Sequence, residues 1–312
     1  MSATVLVLVE TIGDYLPLLE EAGFELILAT TPDRRAAAIA QHGDRIDAVL
    51  TRGPLGLFDA EMARLPRLQI ICVLGAGYEQ VDLPAALRRG ITVTNGAGVN
   101  ASSVADHALA LLLAAVRDIP GADASVRRSE WRKHMRPSLA GKRLGILGLG
   151  AVGMAIAKRG ALGFDMQVSY HNRRPRPDVP YGYCASPLEL AAASDYLVIA
   201  TPGGAGTDRM ISATELQALG PEGFIVNIAR GSVIDTDALI EALRERRIAG
   251  AGLDVFPDEP RVPDALKVLD NVVLTPHVAG LSPDAVRATV VLVVDNLLAH
   301  FAGRPVLTPI SA

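Results

Sequence analysis

The sequence predicts an α/β protein of two doubly wound, parallel-sheet domains. Three observations predict it. Short apolar runs rich in Val and Ile alternate with longer amphipathic stretches along almost all of the 312 residues, which is the pattern of α/β units around parallel sheets. Half of the chain is hydrophobic, sufficient for two cores of ordinary domain size. Only one of the two leading strands runs into a glycine-rich turn, so the two sheets have different tasks.

The first block offers "TVLVLVE", "FELILAT", "DAVLT" and "LQIICVLG" as strands, separated by helical stretches at Leu16 to Ala22, Arg34 to Gln41 and Leu83 to Arg89. The second opens with the long apolar helix "ASSVADHALALLLAAVR" and continues with the strands "RLGILG", "MQVSYH", "YLVIAT", "GFIVNIA" and "AGLDV". A last helix, Pro283 to Phe301, has an apolar "VVLVVDNLLAHF" face and is expected to return to the first sheet. The expected division is therefore 1–98 with 283–312 as one domain and 99–282 as the other. The chain then crosses twice, near Asn95 to Asn100 and near Leu281 to Ser282, with a cleft between the domains; such clefts and the carboxyl ends of parallel strands are where α/β proteins bind ligands.

Charge names no macromolecular partner. The 30 basic and 34 acidic residues leave a net charge of −4, and no block of like charges marks a nucleic-acid arm. The N-terminus lacks a basic segment ahead of its short apolar run, and no run of 18 or more apolar residues follows, so neither leader nor membrane span is expected and the expected location is the cytoplasm. Cys72 and Cys184 fit no metal-ligand spacing and read as small core residues. No metal site is expected.

In "LGILGLGAVG" the strand runs into Gly148, Gly150 and Gly153, spaced G-x-G-x-x-G, with the helix "MAIAKRGALGF" and a second strand behind. This is the dinucleotide fingerprint of a Rossmann domain: a tight turn, close backbone approach to a pyrophosphate, and a helix start that offers N–H groups to it. The first sheet, without these glycines, is expected to be flavodoxin-like. An NAD site carries an acid about 20 residues on; here the chain reads His171, Asn172, Arg173, Arg174. With no carboxylate to repel a 2′-phosphate and two arginines suited to holding one, the expected cofactor is NADP(H). Arg176, behind Pro175, reads as part of a solvated loop.

Three polar residues follow apolar strands: Arg230 in "IVNIARGSVID", Glu259 in "AGLDVFPDEP" and His277 in "VVLTPHVAG". Singly, each has an ordinary reading as a surface arginine, a loop acid and a helix cap. Together, at the converging ends of parallel strands, they fit hydride transfer to a carbonyl. Negative charge builds on the oxygen as hydride arrives and needs a proton and a fixed cation. His277 serves as the acid, Glu259 favours its protonated form, and Arg230 forks between the oxo group and a carboxylate.

With these segments in this order, the chain resembles the D-isomer-specific 2-hydroxyacid dehydrogenases, and within them the NADPH-dependent glyoxylate/hydroxypyruvate reductase branch. "LGILGLGAVGMAIAKR", "NIARGSVIDTDALIEAL", "AGLDVFPDEP" and "NVVLTPHVAG" carry the resemblance. It implies that Arg230, Glu259 and His277 are the catalytic trio, with Arg230 and His277 also touching substrate. It implies that Asp254 helps hold the nicotinamide carboxamide and that the Ala76 and Gly77 amides in "VLGAGYEQVD" bind the substrate carboxylate. The cofactor set it implies comprises Gly148, Leu149, Gly150, Ala151, Val152, Gly153, Asn172, Arg173, Arg174, Thr201, Pro202, Ala229, Asp254, His277 and Gly280.

Three departures stand out: Glu79 replaces the usual Asp, Asp106 the usual Glu, and "HVAGLS" the usual His-Ile-Gly-x-x-Thr. The resemblance also implies a homodimer in which the region of Trp131, in "RRSEWRKHM", packs on a second subunit; a purely structural Trp is the other reading. Arg52, past a first-block strand, is a candidate for accepting a larger or doubly anionic substrate. The expected function is reduction of a small 2-oxoacid such as glyoxylate or hydroxypyruvate by NADPH. The alternatives are another dehydrogenase of the scaffold, acting on 2-ketogluconate, hydroxyphenylpyruvate or phosphite, or a dinucleotide-sensing binding protein.

Overall fold

The computed structural model describes residues 2–310, and its chain divides into two compact units, Met1–Asn100 with Gly280–Ala312, and Ala101–Ala279. The ends of the expected first domain, Met1, Ser311 and Ala312, lie outside the described residues.

The first unit holds a five-stranded, all-parallel sheet formed by β1 (Thr4–Val7), β2 (Glu25–Leu28), β3 (Ala48–Arg52), β4 (Ile70–Leu74) and β5 (Thr92–Asn95), in the order β2-β1-β3-β4-β5. That order is the flavodoxin-like one. Because side chains alternate across a strand, Leu6, Val49, Ile71 and Val93 build the core on one face. Val5, Leu50, Ile70 and Cys72 build it on the other, with Val290, Val293 and Leu297 of the helix Pro283–Phe301. Burial pushes the Cys72 thiol up to about 12, only partly offset by its hydrogen bond with Thr94, so it packs as an inert apolar group. Strand β5 was not among the expected strands; "TVTN" is short and its threonines break the apolar run.

The second unit holds seven parallel strands: β6 (Arg143–Leu147), β7 (Gln167–His171), β8 (Gly182–Tyr183), β9 (Tyr196–Ile199), β10 (Phe224–Asn227), β11 (Gly250–Leu253) and β12 (Val272–Leu274). Their order is β12-β11-β10-β9-β6-β7-β8. Both faces are covered, as a parallel sheet requires. The helix Ala101–Arg117 lies over β10, β11 and β12 with Val104, Ala108, Leu111 and Leu112 in the core. It lies close because β11 has glycine where it crosses: a Cβ on Gly252 would sit 3.0 Å from Leu111 Cβ. Leu190, Leu216, Leu239 and Leu243 cover the other face.

The unit boundaries fall two to three residues from the expected ones. The helix that opens the second unit starts at Ala101, leaving Val99 and Asn100 in the first. Gly280 groups with that unit too, and it packs so tightly on Asn100 that a Cβ there would come within 2.7 Å of Asn100 Nδ2. Gly280 was expected in the cofactor domain. Among the described residues, no helix is long and apolar enough to cross a membrane.

Candidate active site

In the second unit the strand order reverses between β6 and β9, and the glycine-rich turn leaves β6 at that switch point, where open α/β sheets bind ligands. Gly148 has φ +98, and a Cβ on it would lie 2.7 Å from the Thr201 Cα just past β9. A Cβ on Gly153 would lie 2.1 Å from the Gly148 carbonyl oxygen, so the helix Ala151–Phe164 could not start against the turn. Gly150, between them, faces open space. The first helical hydrogen bond runs from Met154 N–H to the Gly150 carbonyl at 2.9 Å, which leaves the N–H groups of Ala151, Val152 and Gly153 without helical acceptors. Room at Gly150 and unspent donors behind it fit a pyrophosphate.

The segment after β7 supports the turn as well as flanking it. Asn172 Oδ1 accepts from Leu149 N–H at 2.7 Å, so this side chain, expected at the cofactor, holds the turn in place. Arg176 stays open to solvent, as the sequence predicts, but it also braces the turn. Its Nη1 donates to the Leu149 carbonyl at 3.0 Å, its backbone N–H donates to the Tyr170 hydroxyl at 2.7 Å, and its guanidinium pairs with Asp178. Arg173 and Arg174 are exposed, and among the described residues neither has an ion pair. His171, in the place of the usual acid, donates from Nδ1 to the Cys184 carbonyl at 2.9 Å and stacks on Tyr183. Thr201 and Pro202 leave β9 beside the turn, and the Pro202 carbonyl accepts from the Thr207 hydroxyl at 2.7 Å.

The three candidate catalytic residues sit past β10, β11 and β12 of the same sheet. Arg230 is half-buried; its Nη1 donates to the Ala229 carbonyl at 2.6 Å, and Asn227, itself buried, donates to the Arg230 carbonyl and accepts from Ala229 N–H. Two glycines make room for it. A Cβ on Gly203 would meet Arg230 Cγ at 2.7 Å, and one on Gly231 would lie 2.0 Å from the Phe256 backbone, which leads into the Glu259 loop. Glu259 Oε1 accepts from Phe256 N–H at 3.0 Å, and its Oε2 accepts from His277 Nδ1 at 2.7 Å. Burial pushes the Glu259 carboxyl up, but the hydrogen bonds from His277 and Phe256 and the nearby charge of Arg230 outweigh it, holding the group below its usual value. Glu259 is therefore ionised at neutral pH.

His277 has φ +55, an uncommon conformation for a residue with a side chain. Asp254 holds it. Its carbonyl accepts from His277 N–H at 2.8 Å, while its carboxylate accepts from Val278 N–H at 2.9 Å, Ala279 N–H at 3.0 Å and the Thr275 hydroxyl at 2.6 Å. The Asp254 side chain is fully buried. Expected at a nicotinamide carboxamide, its carboxylate is spent on organising this turn. Asp106, the shortened acid, still reaches Arg159 at 2.7 Å.

In the first unit, Ala76 and Gly77 follow β4 at its carboxyl end. The Ala76 carbonyl accepts from Asn95 Nδ2 at 2.8 Å, while among the described residues neither Ala76 N–H nor Gly77 N–H donates a hydrogen bond. Arg52 ends β3 in register with Leu74, two residues before Ala76, and is exposed. Trp131 lies in a stretch without regular structure and is 73% exposed.

Sequence reasoning passed over Asn227, Thr275, His107, Gly203 and Gly231. The signal for the glycines was present, since each stands beside a residue already singled out.

Comparison with known proteins agrees with this architecture. The family described as D-isomer specific 2-hydroxyacid dehydrogenase, NAD binding domain, matches residues 109–279. Hydroxyphenylpyruvate reductase of Plectranthus scutellarioides is 41% identical over 291 residues, covering 92% of each chain. Glyoxylate/hydroxypyruvate reductase A of Arabidopsis thaliana is 38% identical over 293 residues, covering 93% of each. The crystal structure of an NADPH-dependent glyoxylate/hydroxypyruvate reductase from Sinorhizobium meliloti, in complex with NADP and malonate, superposes with a TM-score of 0.88 at 37% identity, covering 100% of this chain and 97% of that one.

Proposed function

The chain belongs to the D-isomer specific 2-hydroxyacid dehydrogenase family and is an NAD(P)-dependent 2-oxoacid reductase; we propose that it reduces glyoxylate and hydroxypyruvate with NADPH, as a homodimer. The observation that carries the reading is the 2.7 Å hydrogen bond between His277 Nδ1 and an ionised Glu259, on the sheet whose switch point bears the glycine-rich turn. The relative in complex with NADP and malonate supports both the cofactor and a small acid as substrate.

Reduced nicotinamide, when bound, supplies the hydride. The Ala151, Val152 and Gly153 amides hold its pyrophosphate, and Arg173 and Arg174 hold its 2′-phosphate. Because His277 Nδ1 is committed to Glu259, the proton for the nascent alkoxide stands on Nε2. The Arg230 cation, close enough to Glu259 for its charge to be felt there, stabilises the charge developing on the 2-oxo oxygen. The Ala76 and Gly77 amides bind the substrate carboxylate. Exposed Trp131 and Met135 supply apolar surface for the second subunit.

A second reading, hydroxyphenylpyruvate as substrate, is favoured by the 41% identical relative. Steady-state rates of NADPH and NADH oxidation with glyoxylate, hydroxypyruvate, hydroxyphenylpyruvate and 2-ketogluconate separate the readings. The expected result is the highest kcat/KM for glyoxylate or hydroxypyruvate with NADPH. A clear preference for the aromatic acid would move the assignment to the second reading.

A further inference from the structure

His107 lies on the helix Ala101–Arg117, one turn before Leu111, at the place where Gly252 lets that helix come down on β11. Its Nε2 is 3.0 Å from Thr275 Oγ1 and 3.4 Å from Asp254 Oδ1, and its side chain is 23% exposed. The direction of these bonds follows from chemistry. Both Asp254 carboxylate oxygens already accept from backbone N–H groups, so Oδ1 is the acceptor toward which the Thr275 hydroxyl proton points at 2.6 Å. The Thr275 oxygen then has only lone pairs for His107, so His107 Nε2 must carry a hydrogen.

The result is a directed chain: His107 Nε2–H to Thr275 Oγ1–H to Asp254 Oδ1. At its far end the Asp254 carboxylate grips the Val278 and Ala279 amides, and the Asp254 carbonyl grips His277 N–H. The turn that holds His277 at φ +55 is thus tied, through the buried Asp254 carboxylate, to a histidine outside the catalytic trio.

We propose that His107 is a positioning residue for His277: its Nε2–H fixes the Thr275 hydroxyl, which fixes the Asp254 carboxylate that shapes the turn. The inference rests on the reading of His277 as proton donor. Removing the donor frees the Thr275 hydroxyl to rotate and leaves Asp254 with one dependable donor fewer on Oδ1. The His277 ring then loses its alignment, and a displacement of about 1 Å at a reacting group can lower a rate by about 10²-fold.

Two substitutions test this in the full-length enzyme. Gln at position 107 can place an amide N–H where His107 Nε2–H stands; Leu cannot. His107→Leu is expected to lower kcat with glyoxylate about 10- to 10²-fold with the KM values for glyoxylate and NADPH changed less than about threefold, while His107→Gln recovers most of the loss. Unchanged kcat in His107→Leu, or equal losses in both variants at equal thermal stability, would overturn the proposal. A second readout needs no turnover: ¹⁵N NMR of histidine-labelled protein without cofactor should find His107 Nε2 protonated, with its signal shifted in Thr275→Val. An Nδ1–H tautomer would overturn the relay even if His277 proves to be the proton donor. Conversely, a protonated Nε2 in a protein that reduces no 2-oxoacid would preserve the relay and discard the functional reading.

Discussion

Replacing His277 by Gln is expected to lower kcat for 2-oxoacid reduction by roughly 10²- to 10⁴-fold, the range that positioned acid–base groups contribute. Gln fills similar space and offers an N–H, but it has no proton to give to an alkoxide. The turn should survive, because it is held by backbone and by Asp254 rather than by the imidazole. NADPH affinity, measured by fluorescence titration, is therefore expected to change little. Near-normal turnover in His277→Gln would remove the residue from proton transfer.

Replacing Arg173 and Arg174 together by Ala is expected to cut kcat/KM for NADPH at least tenfold and to leave that for NADH nearly unchanged. Charge-assisted hydrogen bonds are worth about 1.5 to 3 kcal/mol each, but both arginines are exposed, so solvent and salt reduce their sum. The NADPH effect should accordingly shrink at high ionic strength. Asn172 and Arg176 are left intact because they brace the Leu149 backbone, and substituting them would disturb both cofactors alike. Equal loss with both cofactors, or a wild-type preference for NADH, would show that Arg173 and Arg174 take no part in cofactor choice.

Much of this was legible in the chain because parallel sheets buried on both faces write themselves as apolar runs. The strands β1 to β4 and β6 to β7 stand where their Val, Ile and Leu runs place them. The glycine spacing located the turn at the switch point, since no other residue tolerates φ +98 at Gly148 or the approach of Gly148 O to position 153. Less legible was how polar side chains spend their hydrogen bonds. Asn172 and Arg176 look alike to Arg173 and Arg174 in a basic stretch, yet the first two turn inward to Leu149. Asp254 follows a strand just as Arg230 does, but the neighbouring Val278 and Ala279 amides draw its carboxylate into the interior. His107, 147 residues before Asp254 in the chain, meets it only because a helix crosses the sheet at Gly252, and nothing in the local pattern of "VADHALALL" announces that contact.

The most direct test of the account is isotope transfer in the wild-type enzyme. Hydride delivered to the oxo carbon while His277 protonates the oxygen must leave the label on carbon. With glyoxylate and NADPH deuterated at both C4 positions, ¹H NMR and mass spectrometry of the product are predicted to find glycolate carrying one deuterium at C2. Glycolate without deuterium at C2, or no oxidation of the cofactor with any 2-oxoacid, would contradict it.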